Sequence, residues 1–181
     1  MTPIGIYLAG TIDGIAYAQA TGWRINFTER LKSIFKDEVV IFDPTAKYVN
    51  AGYKPDDILD ITNFNLKEAF DIFNDDIASI DKADIALVNI LGDSKGIGTI
   101  LEIGYMLATG ANIIAHIDNN NPLKRHPFLI ASCLMYNSMD EIFEAAIKSI
   151  TLGMVQRKKD MERNMKMIER QGYKIAPPQG G

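Results

Sequence analysis

Two textures of apolar residues alternate along the chain. One is the short unbroken run: PIGIYLA at 3–9, VVIF at 39–42, IALVNIL at 85–91 and NIIAHI at 112–117. Such runs are too short for free-standing helices and read as strands buried on both faces, the mark of a parallel sheet. The other texture has helical spacing. Tyr17–Phe35 sets Trp23, Ile25 or Asn26, Phe27, Leu31 and Ile34 on or near one face. The stretch 63–80 is apolar at 66, 69, 70, 73, 77 and 80, and Thr99–Thr109 at 100, 103, 106 and 107, stopping at Gly110. A helix over 140–152 opens with Asp140 and Glu141 and should end at Gly153. Residues 127–136 read as a short helix followed by a short strand. Between the second strand and the second helix, 46–60 shows no period, and a loop of that length is functional or disordered.

Strands and helices in alternation predict an α/β fold, a parallel sheet of about five strands with helices on both faces. In open sheets of this kind ligands bind beyond the carboxyl ends of the strands. The domain is expected over 1–153. From Met154 the composition shifts: MVQRKKDMERNMKMIERQ carries six Lys or Arg against three Asp or Glu, with methionines at 154, 161, 165 and 167. Residues 154–181 are expected to form a helical, partly disordered tail, either docking on a neighbouring subunit or solvated.

Composition narrows the chemistry. At 181 residues, 47% hydrophobic, the chain has enough apolar material for one good core. A net charge of −4 gives no basic field for nucleic acid. The single cysteine, Cys133, excludes an internal disulfide, and His116 and His126 lack metal-ligand spacing. Without a signal-peptide pattern or a long apolar run, the expectation is a cytoplasmic protein that does not enter the membrane.

The stretch 83–110 combines a strand, a loop of small and polar residues and a helix. Glu102 is expected in that helix's first turn. Thr99-x-x-Glu102 has capping-box spacing; alternatively, Glu102 is a nucleophile kept ionised by the helix N-terminus. Tyr7 in the first strand and Asp75 and Asp76 on the preceding helix would approach the same end of the sheet. An acidic pair on a helix is ordinarily solvated. Carboxylates with a tyrosine and no metal ligands suit chemistry at a glycosidic carbon, one carboxylate attacking and another group assisting departure.

IYLAGTIDG at 6–14, NDDIASIDKADIALV at 74–88 and GIGTILEIGYMLATG at 96–110 together resemble the nucleoside 2-deoxyribosyltransferase family over roughly residues 4–117. The resemblance implies a flavodoxin-like, Rossmann-like sheet, no cofactor and no metal, and a homo-oligomer of two or more chains. It implies Glu102 as nucleophile toward C1′ of a 2′-deoxynucleoside, Tyr7 orienting it and Asp76 contacting or protonating the base, with a free nucleobase or water as acceptor. Gly10, Thr11 and Asp13 of the first loop, and Asp93, Ser94 and Gly98 of the third, become candidate substrate-binding residues. Asp93 is the nearest match to a loop aspartate serving the base, at a longer spacing to Glu102. An asparagine borrowed from a neighbouring subunit would fall near Asn119, Asn120 and Asn121.

A related group within the superfamily hydrolyses nucleoside 5′-monophosphates and reads G-S-x-R-G in the first loop. This chain has Gly10-Thr11-Ile12-Asp13-Gly14, where Asp13 would repel a phosphate. Ser94, Lys95 and Gly96 as a phosphate nest, or Arg24 swinging in from the first helix, would favour a nucleotide instead. Otherwise Arg24 forms a surface salt bridge. Trp23 is either core or a stacking platform for a base. Two other classes fit the same fold, a nucleotide sensor without turnover and an interaction protein using the methionine-rich tail.

Overall fold

The computed structural model describes residues 2–49, 52–60 and 65–170, with side chains as far as 167. Five strands form one sheet: β1 (Ile4–Gly10), β2 (Val39–Phe42), β3 (Ile85–Ile90), β4 (Asn112–Ile117) and β5 (Leu134–Tyr136). All neighbours are parallel, in the order β2-β1-β3-β4-β5, which is the flavodoxin-like arrangement. The chain runs from β1 to β2 on one side and then crosses back to β3 on the other. That reversal opens a crevice at the carboxyl ends of β1 and β3.

Strand periodicity assigns each side chain to a layer. Ile4, Ile6 and Leu8 of β1 join Leu87 and Ile114 beneath α1 (Tyr17–Phe35) and α5 (Met139–Arg170), meeting Phe27, Leu31, Ile142, Ala146 and Ile150. Tyr7 and Ala9 point the other way. They lie with Val88, Ile90 and Ala115 against α2 (Leu66–Ile80), α3 (Ile97–Thr109) and α4 (Pro127–Ser132), through Ile80, Ile103, Met106 and Leu129. This alternation alone directs Tyr7 toward the helices that carry Asp76 and Glu102. β1 and β3 approach so closely at Gly10 that an added Cβ would lie 2.3 Å from the Asn89 carbonyl oxygen.

Several expectations need correction. The last helix does not stop at Gly153 but continues to Arg170. Gly153 is a packing position, where a Cβ would meet Ile4 Cδ1 at 3.1 Å. Arg157, within the expected tail, donates to the carbonyls of Thr2 and Pro3 (2.7 and 2.5 Å) and to Asp84 (2.5 Å). On α1 the buried face runs through Ala20, Thr21, Arg24, Phe27 and Leu31, leaving Ile25 and Ile34 exposed. Helix α2 begins at Leu66, where Asn65 and Glu68 form a capping box; 61–64 lie outside the described residues. Most of its apolar stripe stays outside the core. Of that stripe only Ile80 is fully buried, and Leu66 and Phe73 are 77% and 59% exposed.

The described part of the aperiodic loop is ordered by pairing. Gly14 N–H donates to the Leu59 carbonyl (2.8 Å), Leu59 N–H to that of Ile15 (3.0 Å) and Tyr17 N–H to that of Asp57 (2.8 Å). Buried Leu59 and the stacked rings of Tyr17 and Tyr53 (5.8 Å between centroids) fasten this strap to the start of α1. Among the described residues no helix is long and apolar enough to cross a membrane.

Candidate active site

Tyr7, Glu102 and Asp76 come from three elements that meet on the α2/α3 side of the sheet. The Tyr7 hydroxyl donates to Glu102 Oε1 at 2.8 Å. Tyr7 is fully buried, and burial with the nearby Glu102 and Asp76 charges keeps its phenol protonated, far above the ordinary range. Tyr7 and Asp76 line one cavity of about 150 Å³ with Asp43, Pro44, Lys47, Asp75 and Ser79.

Glu102 does not occupy the helix end as expected. Helix α3 starts at Ile97, so Glu102 lies in its second turn. The N-cap is Gly96, held at φ 51°, a conformation that suits glycine, and no side chain caps the helix. Thr99 is buried within the helix, which removes the capping box. Nor does the helix end hold Glu102 ionised. Burial dominates and raises its carboxyl to about 7, against the opposing hydrogen bond from Tyr7. Burial likewise raises Asp76; Lys47 opposes that shift, whereas Asp75 adds to it.

A second cleft, of about 460 Å³, opens between the loops after β1, β3 and β4. Asp13, Asp93 and Ser94 line it with Asp118, Gly92, Leu91, Gln19, Ile15 and Gly14. The other three candidate binding residues lie elsewhere. Gly10 makes the close strand contact described above. Thr11 is buried, its N–H donating to the Asn89 carbonyl (3.1 Å) and its hydroxyl accepting from Leu91 N–H (3.1 Å), so it holds the two loops together. Gly98 is exposed in the first turn of α3.

Of the two expected phosphate ligands, Arg24 is engaged inside the fold, and the nest is partly engaged within its own loop. Arg24 is wholly buried, neither a surface ion pair nor free to swing. Its guanidinium donates to the carbonyls of Leu8 (3.1 Å), Gly10 (3.0 Å) and Ala20, and lies 3.7 Å from Asp43. In the Ser94–Gly96 nest the Gly96 N–H already donates to Ser94 Oγ at 3.1 Å. Trp23 packs edge-on against Phe27 beside the core, at 5.7 Å between centroids.

Two residues gain roles the sequence reading did not give them. Asn121, fully enclosed in its own chain, donates to the carbonyls of Gly92 (3.0 Å) and Ser94 (2.9 Å) and accepts from Leu123 N–H (2.9 Å). It holds the third loop, aided by Asp118, which accepts from Gly92 N–H at 2.6 Å. Lys47 stands in the cavity wall beside Tyr7 and Asp76. The signal for it was Asp43-Pro44-Thr45 just upstream, an Asx-turn sequence at a strand's carboxyl end. Among the described residues no cluster of three or more His, Cys, Asp or Glu side chains is placed to hold a metal ion.

The sequence pattern of one protein family, described as Nucleoside 2-deoxyribosyltransferase, matches residues 6–174. The chain belongs to the nucleoside 2-deoxyribosyltransferase family. The match extends well beyond the 4–117 that the motifs cover, through β5 and along α5. A search of curated proteins finds no match. Among solved structures, a conserved protein from Enterococcus faecalis V583 is similar at 15% identity with a TM-score of 0.49, covering 79% of this chain and 96% of that one.

Proposed function

We propose that this family member is a cytoplasmic transferase that cleaves the N-glycosidic bond of a 2′-deoxynucleoside and passes the deoxyribosyl group to another nucleobase. The observation that carries this reading is the 2.8 Å hydrogen bond from Tyr7 to Glu102, with Asp76 beside Tyr7 in one cavity. Tyr7 occupies one carboxylate oxygen and leaves Oε2 to attack C1′. As the Oε2–C1′ bond forms, the C1′–N bond breaks and its electron pair leaves with the base, which takes a proton from Asp76. The second base then attacks C1′ through its ring nitrogen, its proton returns to Asp76, and the ester bond releases Glu102 as carboxylate.

The larger cleft favours a nucleoside over a 5′-monophosphate. Asp13, Asp93 and Asp118 line it, and among the described residues no Lys, Arg or His does. Such a wall suits hydroxyl groups and repels phosphate. Assembly into a homo-oligomer is supported by the apolar side chains that α2 and α3 leave exposed beside Asp76 and Glu102, among them Leu66, Phe70, Phe73, Ile97 and Leu101.

A second reading has one observation in its favour. A carboxyl near 7 also suits a general base for water, which would make the protein an N-glycoside hydrolase. Incubation with deoxyinosine and free adenine separates the two. Transfer yields deoxyadenosine, and the Glu102→Ala variant yields none; rapid-quench mass spectrometry of the wild type should find one deoxyribosyl unit on Glu102. Hypoxanthine without deoxyadenosine would assign the hydrolase. Binding without turnover of nucleoside or nucleotide would leave a sensor.

A further inference from the structure

We propose that Lys47 sets the base preference of this site, selecting 6-oxopurines over 6-aminopurines by donating a hydrogen bond to O6 while Asp76 serves N7. The inference rests on the glycosyl-transfer reading above and adds the chemical class of base to it.

The position of Lys47 is built from β2 onward. Asp43 Oδ1 accepts from Thr45 N–H (2.8 Å) and from Thr45 Oγ1 (2.6 Å), and the same Asp43 faces buried Arg24. Ala46 N–H donates to the Asp43 carbonyl (3.1 Å) and Tyr48 N–H to that of Thr45 (2.9 Å), closing the single helical turn Ala46–Tyr48 over fully buried Thr45. The backbone at Lys47 is therefore fixed by the core. Its side chain shares the 150 Å³ cavity with Tyr7, Asp75 and Asp76. Among the described residues the ammonium forms no ion pair, and it lies 5.5 Å from the centre of the Tyr48 ring.

An ammonium offers three donors and no acceptor, whereas a protonated carboxyl offers one donor. When Asp76 carries its proton, the cavity presents two donors side by side. A 6-oxopurine carries two acceptors on one edge, O6 and N7, whereas a 6-aminopurine carries an amino donor beside N7. The first edge pairs with Lys47 and Asp76 together. The second sets an amino group against an ammonium and leaves both without acceptors, the situation in which polar sites discriminate most strongly. The charge balance of the reaction points the same way. When the C1′–N9 bond breaks, N9 keeps the electron pair and N7 takes the Asp76 proton. The new Asp76 carboxylate then faces the Lys47 ammonium, and the base departs as the neutral N7–H tautomer.

The test compares kcat/KM for deoxyinosine and deoxyadenosine as donors in the wild type, Lys47→Met and Lys47→Arg, with Glu102→Ala as blank. The wild type should favour deoxyinosine by about tenfold or more. Lys47→Met should bring the ratio close to one, and Lys47→Arg, which keeps a donor, should restore part of it. Calorimetry of free hypoxanthine and adenine on the Glu102→Ala protein gives a readout without turnover, and hypoxanthine should bind more tightly only when Lys47 is present. A wild-type ratio near one, or one that Lys47→Met leaves unchanged, overturns the role of Lys47 and spares the transferase. No turnover of either nucleoside by the wild type overturns the transferase reading and this assignment with it.

Discussion

The Tyr7 hydroxyl reaches Glu102 across 95 residues of sequence and donates to it at 2.8 Å. The bond favours the ionised carboxylate, against burial, which raises the group to about 7. A protonated Glu102 cannot attack, so kcat/KM should fall as pH drops through about 7. Tyr7→Phe removes the stabilising donor and should move that limb upward by about one pH unit. The loss of rate is then largest near pH 6 and shrinks in alkali. A pH profile in which the limb stays in place would remove Tyr7 from any part in tuning Glu102.

The same group links activity to stability. With its folded value raised from 4.5 to about 7, Glu102 holds its proton more firmly in the folded protein than in the unfolded chain. The resulting stabilisation is complete below 4.5 and is lost as pH rises to about 7. Allowing for its partial exposure, the loss is about 2 kcal/mol. Glu102→Gln should therefore be inactive yet more stable than wild type at pH 8, and close to it at pH 4. Urea titrations at both values check this, and equal stability at pH 8 would argue against a strained carboxyl.

The sheet was legible because buried parallel strands write themselves as unbroken apolar runs, and β1, β2, β3 and β4 lie within a residue or so of those runs. The catalytic candidates were legible too, since strand alternation and helix order bring Tyr7, Asp76 and Glu102 to one side. Three features were hidden for physical reasons. An arginine at a helical spacing looks solvated, yet Arg24 finds three carbonyls and a carboxylate inside the fold. Gly153 looks like a helix end because the tolerance of glycine for tight packing against Ile4 leaves no local trace. The stripe on α2 reads as core because apolar periodicity marks a face without recording whether the same chain covers it.

Arg24 is a structural group, so Arg24→Met should lower stability by about 4 kcal/mol and Tm by about 10 °C. Arg24→Lys should recover little, because a single ammonium cannot span carbonyls on three residues. Thermal unfolding of both variants decides the matter; a stable variant with weakened nucleotide affinity would instead restore the ligand role.

Asn121 donates twice to carbonyls of the third loop. Asn121→Leu keeps the branching at Cγ and should cost about 2 kcal/mol, since it leaves two carbonyls and the Leu123 N–H unpaired. With the loop released, KM for the nucleoside should rise more than kcat falls. An unchanged KM would confine Asn121 to folding.

The exposed faces of α2 and α3 should be covered in solution by a second copy. Phe70→Glu combined with Phe73→Glu should shift light-scattering mass to that of one chain. A wild type that already runs as a single chain would refute the assembly.

Arg157 fastens residues Thr2 and Pro3 at the threshold of β1 from the middle of the last described helix. A ribosome delivers β1 long before it delivers Arg157. That strand, between β2 and β3, therefore waits through the synthesis of β2, β3, β4 and β5 without the clasp that secures its entry, and without Ile142, Ala146 and Ile150 over one of its faces. The domain thus closes on its own first strand only when the last described helix emerges, and the nascent segment must stay soluble until then.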